Sequence, residues 1–148
     1  MKNLITTTLL LLLMAATVSA QTARVQIIHN SPDPTVDVYV NGVNTFDDFA
    51  FRSATGFLTL PAAIHLTIAI APASSTSAAE AIFNADITFD IGKTYVVTAS
   101  GIVSNPVTPF TLIADPNARE TAAGGMGMVD LSVLHGAPDA PAVDVAVR

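Results

Sequence analysis

Apolar and polar residues alternate along most of the chain, which is the pattern of half-buried β-strands. In "VDVYV", residues 36–40, the valines point to one side while Asp37 and Tyr39 point to the other. Further runs of this kind, each followed by turn-forming residues, are "RVQIIH", "FLTL", "IHLTIAIA", "AIFNADITF", "TYVVTAS" and "PFTLIAD". About seven to eight short strands with turns between them predict an all-β fold, an antiparallel immunoglobulin-like β-sandwich.

The alternation also predicts which side chains lie between the two sheets. The expected core positions are Val25, Ile27, Val38, Val40, Leu58, Leu60, Leu66, Ile68, Ile87, Phe89, Tyr95, Val97, Phe110 and Leu112. Asn41-Gly42 follows the "VDVYV" run, and this residue pair is the best suited to the two positive φ angles of a type I′ turn. The pattern therefore predicts a tight hairpin at this point.

Residues 1–20 have the composition of a secretory signal peptide. Lys2 gives a positive start, "LITTTLLLLLMAATV" is apolar, and Val18-Ser19-Ala20 supplies the small residues that a signal peptidase reads. A membrane anchor is disfavoured, because the apolar core is short against the ~30 Å of hydrocarbon that a span must cross. We expect cleavage after Ala20, a mature N-terminus at Gln21, and a secreted or cell-envelope protein that is not inserted in the membrane.

Charge and cysteine content narrow the classes of function. The six basic and twelve acidic residues give a formal charge of −6, and loss of Lys2 with the signal peptide takes the mature chain to −7. Nucleic-acid binding is disfavoured because it needs a basic surface. The sequence contains no cysteine, which excludes disulfides and thiol chemistry. A secreted domain of this length must then be stabilised by its hydrophobic core.

One short signature occurs twice. "IIHNSPDPTVDVYVNG" (residues 27–42) returns as "SVLHGAPDAPAVDVAV" (residues 132–147), with one inserted residue. The paired positions are His29 with His135, Pro32 with Pro138, Asp33 with Asp139, and Asp37 with Asp144. The 106 residues between the histidines correspond to one sandwich domain plus a linker. The expected divisions are a signal peptide (1–20), a β-sandwich domain (21–118), a Gly-rich linker (119–128) and the truncated start of a second repeat (129–148).

The signature carries a resemblance to a known family. Its His, Pro-Asp and Val-Asp-Val, followed by Asn-Gly, resemble the start of the bacterial family called domain of unknown function 4397. "FLTLPAAIHLTIA" resembles the middle motif of that family, but Ala63 stands where the family usually has glycine, so we expect a turn there without positive φ. The resemblance covers residues 23–116 and 129–148. It implies a sandwich-like β-domain, tandem repetition and an exported location, with no established reaction.

The polar residues of the signature allow two interpretations. In the structural one, the prolines set the angle between the first two strands, Asp33 accepts backbone hydrogen bonds, and His29 satisfies a loop group. In the other, Asp33 and Asp37 contribute to a divalent-cation site, although calcium takes about six to eight oxygens and no third acid has calcium-loop spacing. The structural interpretation is favoured. The consecutive acids Asp47 and Asp48 are expected in a solvated loop, because neighbours on a strand point to opposite faces.

Motifs for catalysis are absent from the sequence. There is no Gly-x-Ser-x-Gly elbow, no His-Glu-x-x-His and no cysteine nucleophile. Glu80 and Glu120 lie beside stretches of small residues, where a general acid and base would be poorly held. We therefore expect no enzyme activity and no cofactor.

Two functions remain. The favoured one is a non-catalytic structural or adhesive module of a tandem array in the bacterial cell envelope. The alternative is a ligand-binding module for a divalent cation or a glycan, at the sandwich end where the Pro-Asp turn meets "APASSTSAAE" (residues 71–80). Partners would be other domains of the same chain or cell-surface components.

Overall fold

The computed structural model describes residues 21–137 and 140–146, so the signal-peptide prediction falls outside the described part. The described residues form a single turn of 3-10 helix at Ala78–Glu80 and eight β-strands. The strands are β1 Thr22–His29, β2 Val36–Val40, β3 Val43–Phe49, β4 Leu58–Pro61, β5 His65–Pro72, β6 Phe83–Thr88, β7 Thr94–Ser100 and β8 Thr111–Asp115. Over the same residues, no helix has the length and hydropathy needed to cross a membrane.

The strands form two four-stranded sheets that enclose a common core. Sheet A has the strand order β4-β1-β7-β8, and sheet B has the order β3-β2-β5-β6. The predicted all-β sandwich is confirmed, with one difference in strand direction. Strands β1 and β7 run parallel, from Arg24 opposite Thr94 to His29 opposite Ala99. A parallel pair needs a long crossover, and the chain provides it by passing through the whole of sheet B between the two strands.

The side chains predicted for the core do lie between the sheets. They form two clusters, one around Val25 and Phe89 and one around Val38. The predicted positions that are fully buried are Val25, Val38, Leu66, Phe89, Tyr95 and Val97. The remaining predicted positions are partly buried in the same interior: Ile27, Val40, Leu58, Leu60, Ile68, Ile87, Phe110 and Leu112. Removal of this apolar surface from water is the main stabilising term available to a chain without disulfides.

The φ angles at two turns can be compared with those expected from the sequence. Asn41 and Gly42 have φ angles of 50° and 81°, so the predicted hairpin is confirmed. The expectation for Ala63 was wrong, because its φ is 58°, in the left-handed region. An alanine side chain there crowds the backbone at a cost of about 1 to 2 kcal/mol. The Ala63 N–H donates to the Phe89 carbonyl oxygen at 2.8 Å.

The outer face of sheet B is covered by the β5–β6 loop (residues 73–82). A third buried cluster lies there, made of Tyr39, Ala69 and Ala71 against Ala78 and Ala81. The Glu80 carboxylate accepts hydrogen bonds from the Thr76 N–H at 2.7 Å and the Ser77 N–H at 3.2 Å, which fold the loop back on itself. Alternation placed Tyr39 on the face opposite the valines, but it did not predict that a loop would bury that face.

Asp47 and Asp48 lie within β3, so the expected loop was wrong. The pairing of β3 with β2 shifts register twice, and Asp48 has a φ of 51°. A β-bulge of this kind breaks the strict alternation of a strand. Both acidic residues are exposed as a result, although they are neighbours in the sequence.

Candidate functional site

The first copy of the signature connects the two sheets. Strand β1 ends at His29 in sheet A, β2 begins at Val36 in sheet B, and residues 29–36, called the corner here, join them. His29 and Ser31 are only 1% and 0% exposed, whereas Pro32 and Asp33 are exposed. The corner therefore has a buried polar base and an exposed Pro-Asp tip.

Both ring nitrogens of His29 form hydrogen bonds inside the corner. The Ser31 backbone N–H donates to Nδ1 at 3.3 Å, so Nδ1 carries no proton. The proton then lies on Nε2, which donates to the Pro34 carbonyl oxygen at 3.1 Å. Burial lowers the pKa of His29 below its ordinary value, and the hydrogen bond to Pro34 opposes this effect only in part. The corner is thus built around a neutral imidazole.

Mild acidification is expected to destabilise the domain through His29. Because its pKa is lowered in the folded state, the unfolded chain takes up the proton more readily as the pH falls. The stabilising contribution is present above the ordinary value of 6.5 and is lost as the pH falls from there through the folded pKa. Thermal melts between about pH 7.5 and pH 5 should show this slope in the parent.

Two variants test whether the dependence of melting temperature on pH comes from His29. His29→Gln should weaken the dependence of melting temperature on pH, because glutamine does not titrate. His135→Gln is the matched control, since it makes the same substitution at an exposed position. A His29→Gln protein with the full slope of the parent would contradict the assignment.

Ser31 links the corner to the turn that follows β7. Its hydroxyl donates to the Gly101 carbonyl oxygen at 2.8 Å, in a fully buried position. The neighbouring Asn30 N–H donates to the Ala99 carbonyl oxygen at 2.8 Å. These two hydrogen bonds continue the β1–β7 contact beyond the ends of the strands.

Asp37 is the buried carboxylate of the signature, at 1% exposure. Its Oδ1 accepts the Asp48 backbone N–H at 3.0 Å, and its Oδ2 accepts the Ser75 hydroxyl at 2.7 Å. The Ser75 proton is thereby used, so the Tyr39 hydroxyl, 3.0 Å from Ser75 Oγ, is the donor in that pair. The hydrogen bonds from Ser75, first, and Asp48, second, lower the pKa of Asp37. Asp37 thus joins β2, β3 and the β5–β6 loop.

Asp33 differs from Asp37 in both burial and contacts. It lies at the exposed tip, and none of the hydrogen bonds between described residues involves its carboxylate. The acceptance of backbone donors predicted for Asp33 is instead performed by Asp37. The sequence assigned this role to Asp33 alone, because spacing does not show which carboxylate a later loop will bury.

The Pro-Asp turn and the loop predicted beside it do meet. The Ala73 N–H donates to the Thr35 carbonyl oxygen at 3.2 Å, next to the contact between Ser75 and Asp37. Among the residues that the structure describes, no group of three or more His, Cys, Asp or Glu side chains is placed to hold a metal ion. The candidate cation ligands are therefore Asp33, which is exposed, and Asp37, whose two carboxylate oxygens already accept hydrogen bonds.

The second copy of the signature repeats one contact of the first. His135 Nε2 lies 2.9 Å from the carbonyl oxygen of Pro141, as His29 Nε2 lies close to that of Pro34. The surroundings differ, because His135 and Asp144 are exposed. The predicted signature residues Pro138 and Asp139 lie outside the described residues.

Comparison with known proteins agrees with the signature. A family model described as "Domain of unknown function (DUF4397)" matches residues 23–146. No curated protein matches the chain. The matched range contains both sheets and the corner, and it covers well over half of the sequence. The chain therefore belongs to the DUF4397 family.

Proposed function

We propose that this chain is a non-catalytic structural or adhesive module of a tandem array, exported to the cell envelope or beyond. The observation that supports this most directly is the use of the signature's buried polar atoms inside the domain. Both nitrogens of His29, the hydroxyl of Ser31 and both oxygens of Asp37 take part in internal hydrogen bonds. A catalytic group must reach the proton or atom on which it acts, and these groups are directed into the domain itself.

The repeated signature supports the tandem part of the proposal. The second copy begins one domain length after the first and has the same contact between its histidine and a proline carbonyl. The composition of residues 1–20, with a positive start, an apolar run and Val18-Ser19-Ala20, supports export.

A ligand-binding module is the second candidate function. Asp33 presents an exposed carboxylate at the end of the sandwich where Thr35 contacts the β5–β6 loop. A divalent cation or a glycan would bind there at the surface. Asp37 would contribute to such a site only by releasing Ser75 or Asp48, the donors that its oxygens now accept.

Melting curves of the exported protein, with calcium and with a chelator, separate the two functions. The exported material should have a mass that begins at Gln21, and calcium should leave its melting temperature unchanged. A cation that binds the folded state would raise the melting temperature by mass action. A rise of several degrees that disappears in Asp33→Ala would overturn the structural role, and a mass that still includes Lys2 would overturn export.

A further inference from the structure

Residues 119–137 cross the outer side of sheet A from one end to the other. At one end, near the start of β1, Arg24 forms a two-point ion pair with Glu120, Nε to Oε1 at 2.7 Å and Nη2 to Oε2 at 2.8 Å. At the other end, the Gly136 carbonyl oxygen accepts hydrogen bonds from Asn30 Nδ2 and Ser100 Oγ, both at 3.2 Å. Asn30 follows β1 directly and Ser100 ends β7. The segment therefore extends along the full length of β1.

Contacts within the segment fold its Gly-rich part. The Arg119 guanidinium lies 2.8 Å from the Asp130 carboxylate, and the same Asp130 oxygen accepts the Ala123 N–H at 3.0 Å. The residues that follow lie over the sheet. Residues 130–134 and the outer face of sheet A line a cleft of about 720 Å³. The side chains that line it from the sheet include Ile28, Val96 and Ile113, and Phe57 lies beside them.

Gly136 is a point of close approach between the segment and the corner. A Cβ atom at this position would lie 2.5 Å from Asn30 Nδ2 and 3.3 Å from Ser100 Oγ, so a larger residue would have to displace Asn30. Gly136 and Asn30 occupy equivalent positions, each directly after the signature histidine. The two copies thus contact each other at the same point of their signatures.

The second copy exposes side chains whose equivalents the first copy buries. Val25, four residues before His29, is 0% exposed, whereas Leu131, four residues before His135, is 72% exposed. An exposed apolar run of this kind marks a surface for further contacts. The segment is therefore held on sheet A while its core-type side chains are left accessible.

We propose that the outer face of sheet A is a docking surface for the first strand of the next repeat, with residues 129–137 as its occupant. This inference rests on the proposed tandem arrangement and specifies how neighbouring repeats are positioned. Consecutive repeats are held in a fixed relative position and are not joined by a free tether. The next signature begins beside the first one, where Gly136 contacts Asn30.

Limited trypsin digestion of the mature chain tests the docking, because Arg119 is both a cleavage site and a contact of the segment. Gly136→Val should raise the rate of cleavage after Arg119 about tenfold, since its side chain would displace Asn30 Nδ2, crowd Ser100 Oγ and so weaken the two hydrogen bonds to the Gly136 carbonyl oxygen. Asn30→Ala should raise the same rate, because it removes the hydrogen bond from Asn30 Nδ2 to the Gly136 carbonyl oxygen. Gly56→Ala is the control, because a Cβ at exposed Gly56 meets no atom within 4 Å and should change nothing.

The melting temperature distinguishes undocking from unfolding. It should stay near that of the parent in both test variants, because the sandwich core is untouched. If Gly136→Val lowers it strongly, Asn30→Ala decides, since it removes the side-chain contact with Gly136 and keeps the hydrogen bond from the Asn30 N–H to the Ala99 carbonyl oxygen. If the variant that decides is cleaved at the same rate as the parent, the docking is overturned. The outcome of the melting curves with calcium does not depend on this. A stabilising effect of calcium would overturn the proposed function without changing the ratio of cleavage rates.

Discussion

Val38→Asp is expected to leave the mature chain largely unfolded at room temperature. Val38 is 6% exposed and belongs to the buried cluster with Val36 and Ile70. A carboxylate at this position would be buried without a partner, at a cost of about 4 kcal/mol or more. That is a large part of the roughly 5 to 15 kcal/mol by which a domain is stable. Far-ultraviolet circular dichroism with urea titration measures the loss.

Val43→Asp is the matched control for this substitution. Val43 lies in the same hairpin, opposite Val40, but it is 67% exposed. The same change of residue should therefore alter the free energy of unfolding by only about 0.5 kcal/mol. Similar losses in the two variants would show that Val38 does not face a closed interior.

The second large effect is expected at Asp37. Asp37→Ala leaves the Asp48 N–H and the Ser75 hydroxyl without their acceptor in a buried position. Removal of hydrogen bonds to a charged group should lower the free energy of unfolding by about 2 to 4 kcal/mol. Asp33→Ala, in the same signature but exposed, should lie within about 0.5 kcal/mol of the parent. Urea titrations of both variants test this, and a larger loss for Asp33→Ala would reverse the roles assigned to the two residues.

Asp37 should also make the stability of the domain depend on pH in the acid range. Its pKa is lowered on folding, so its stabilising contribution is present above the ordinary value of 3.8 and is lost as the pH falls through the folded pKa. This range is more acidic than the one in which protonation of His29 acts. The loss of stability is therefore expected to begin with His29 below pH 6.5 and to continue with Asp37 below pH 3.8, and each contribution should weaken in the variant of its own residue.

Local pattern was sufficient for seven of the eight strands, all except β3, and for the core. A period of two is a property of neighbouring residues, and it placed Val25, Leu66 and Phe89 correctly between the sheets. The Asn41-Gly42 hairpin also depends on two residues alone, because their preference for positive φ is intrinsic.

Features that depend on distant contacts were not predicted. The parallel pairing of β1 with β7 joins residues about 70 positions apart, and no local pattern encodes its direction. The roles of Asp33 and Asp37 depend on the β5–β6 loop, whose Ser75 reaches only one of them. At Ala63, the chain adopts a positive φ of 58° against the local preference of alanine.

The place of β1 within sheet A has a mechanical consequence. β1 lies between β4 and β7, and it pairs with β7 from Arg24 to His29. Gly136 is held at the far end of the sheet, by Asn30 and Ser100. A force that pulls the N-terminus away from this point acts along the axis of β1. Such a load shears the ladder, so its hydrogen bonds on both sides must break together and not one after another. A strand loaded in this way resists tension far better than a hairpin peeled from its end.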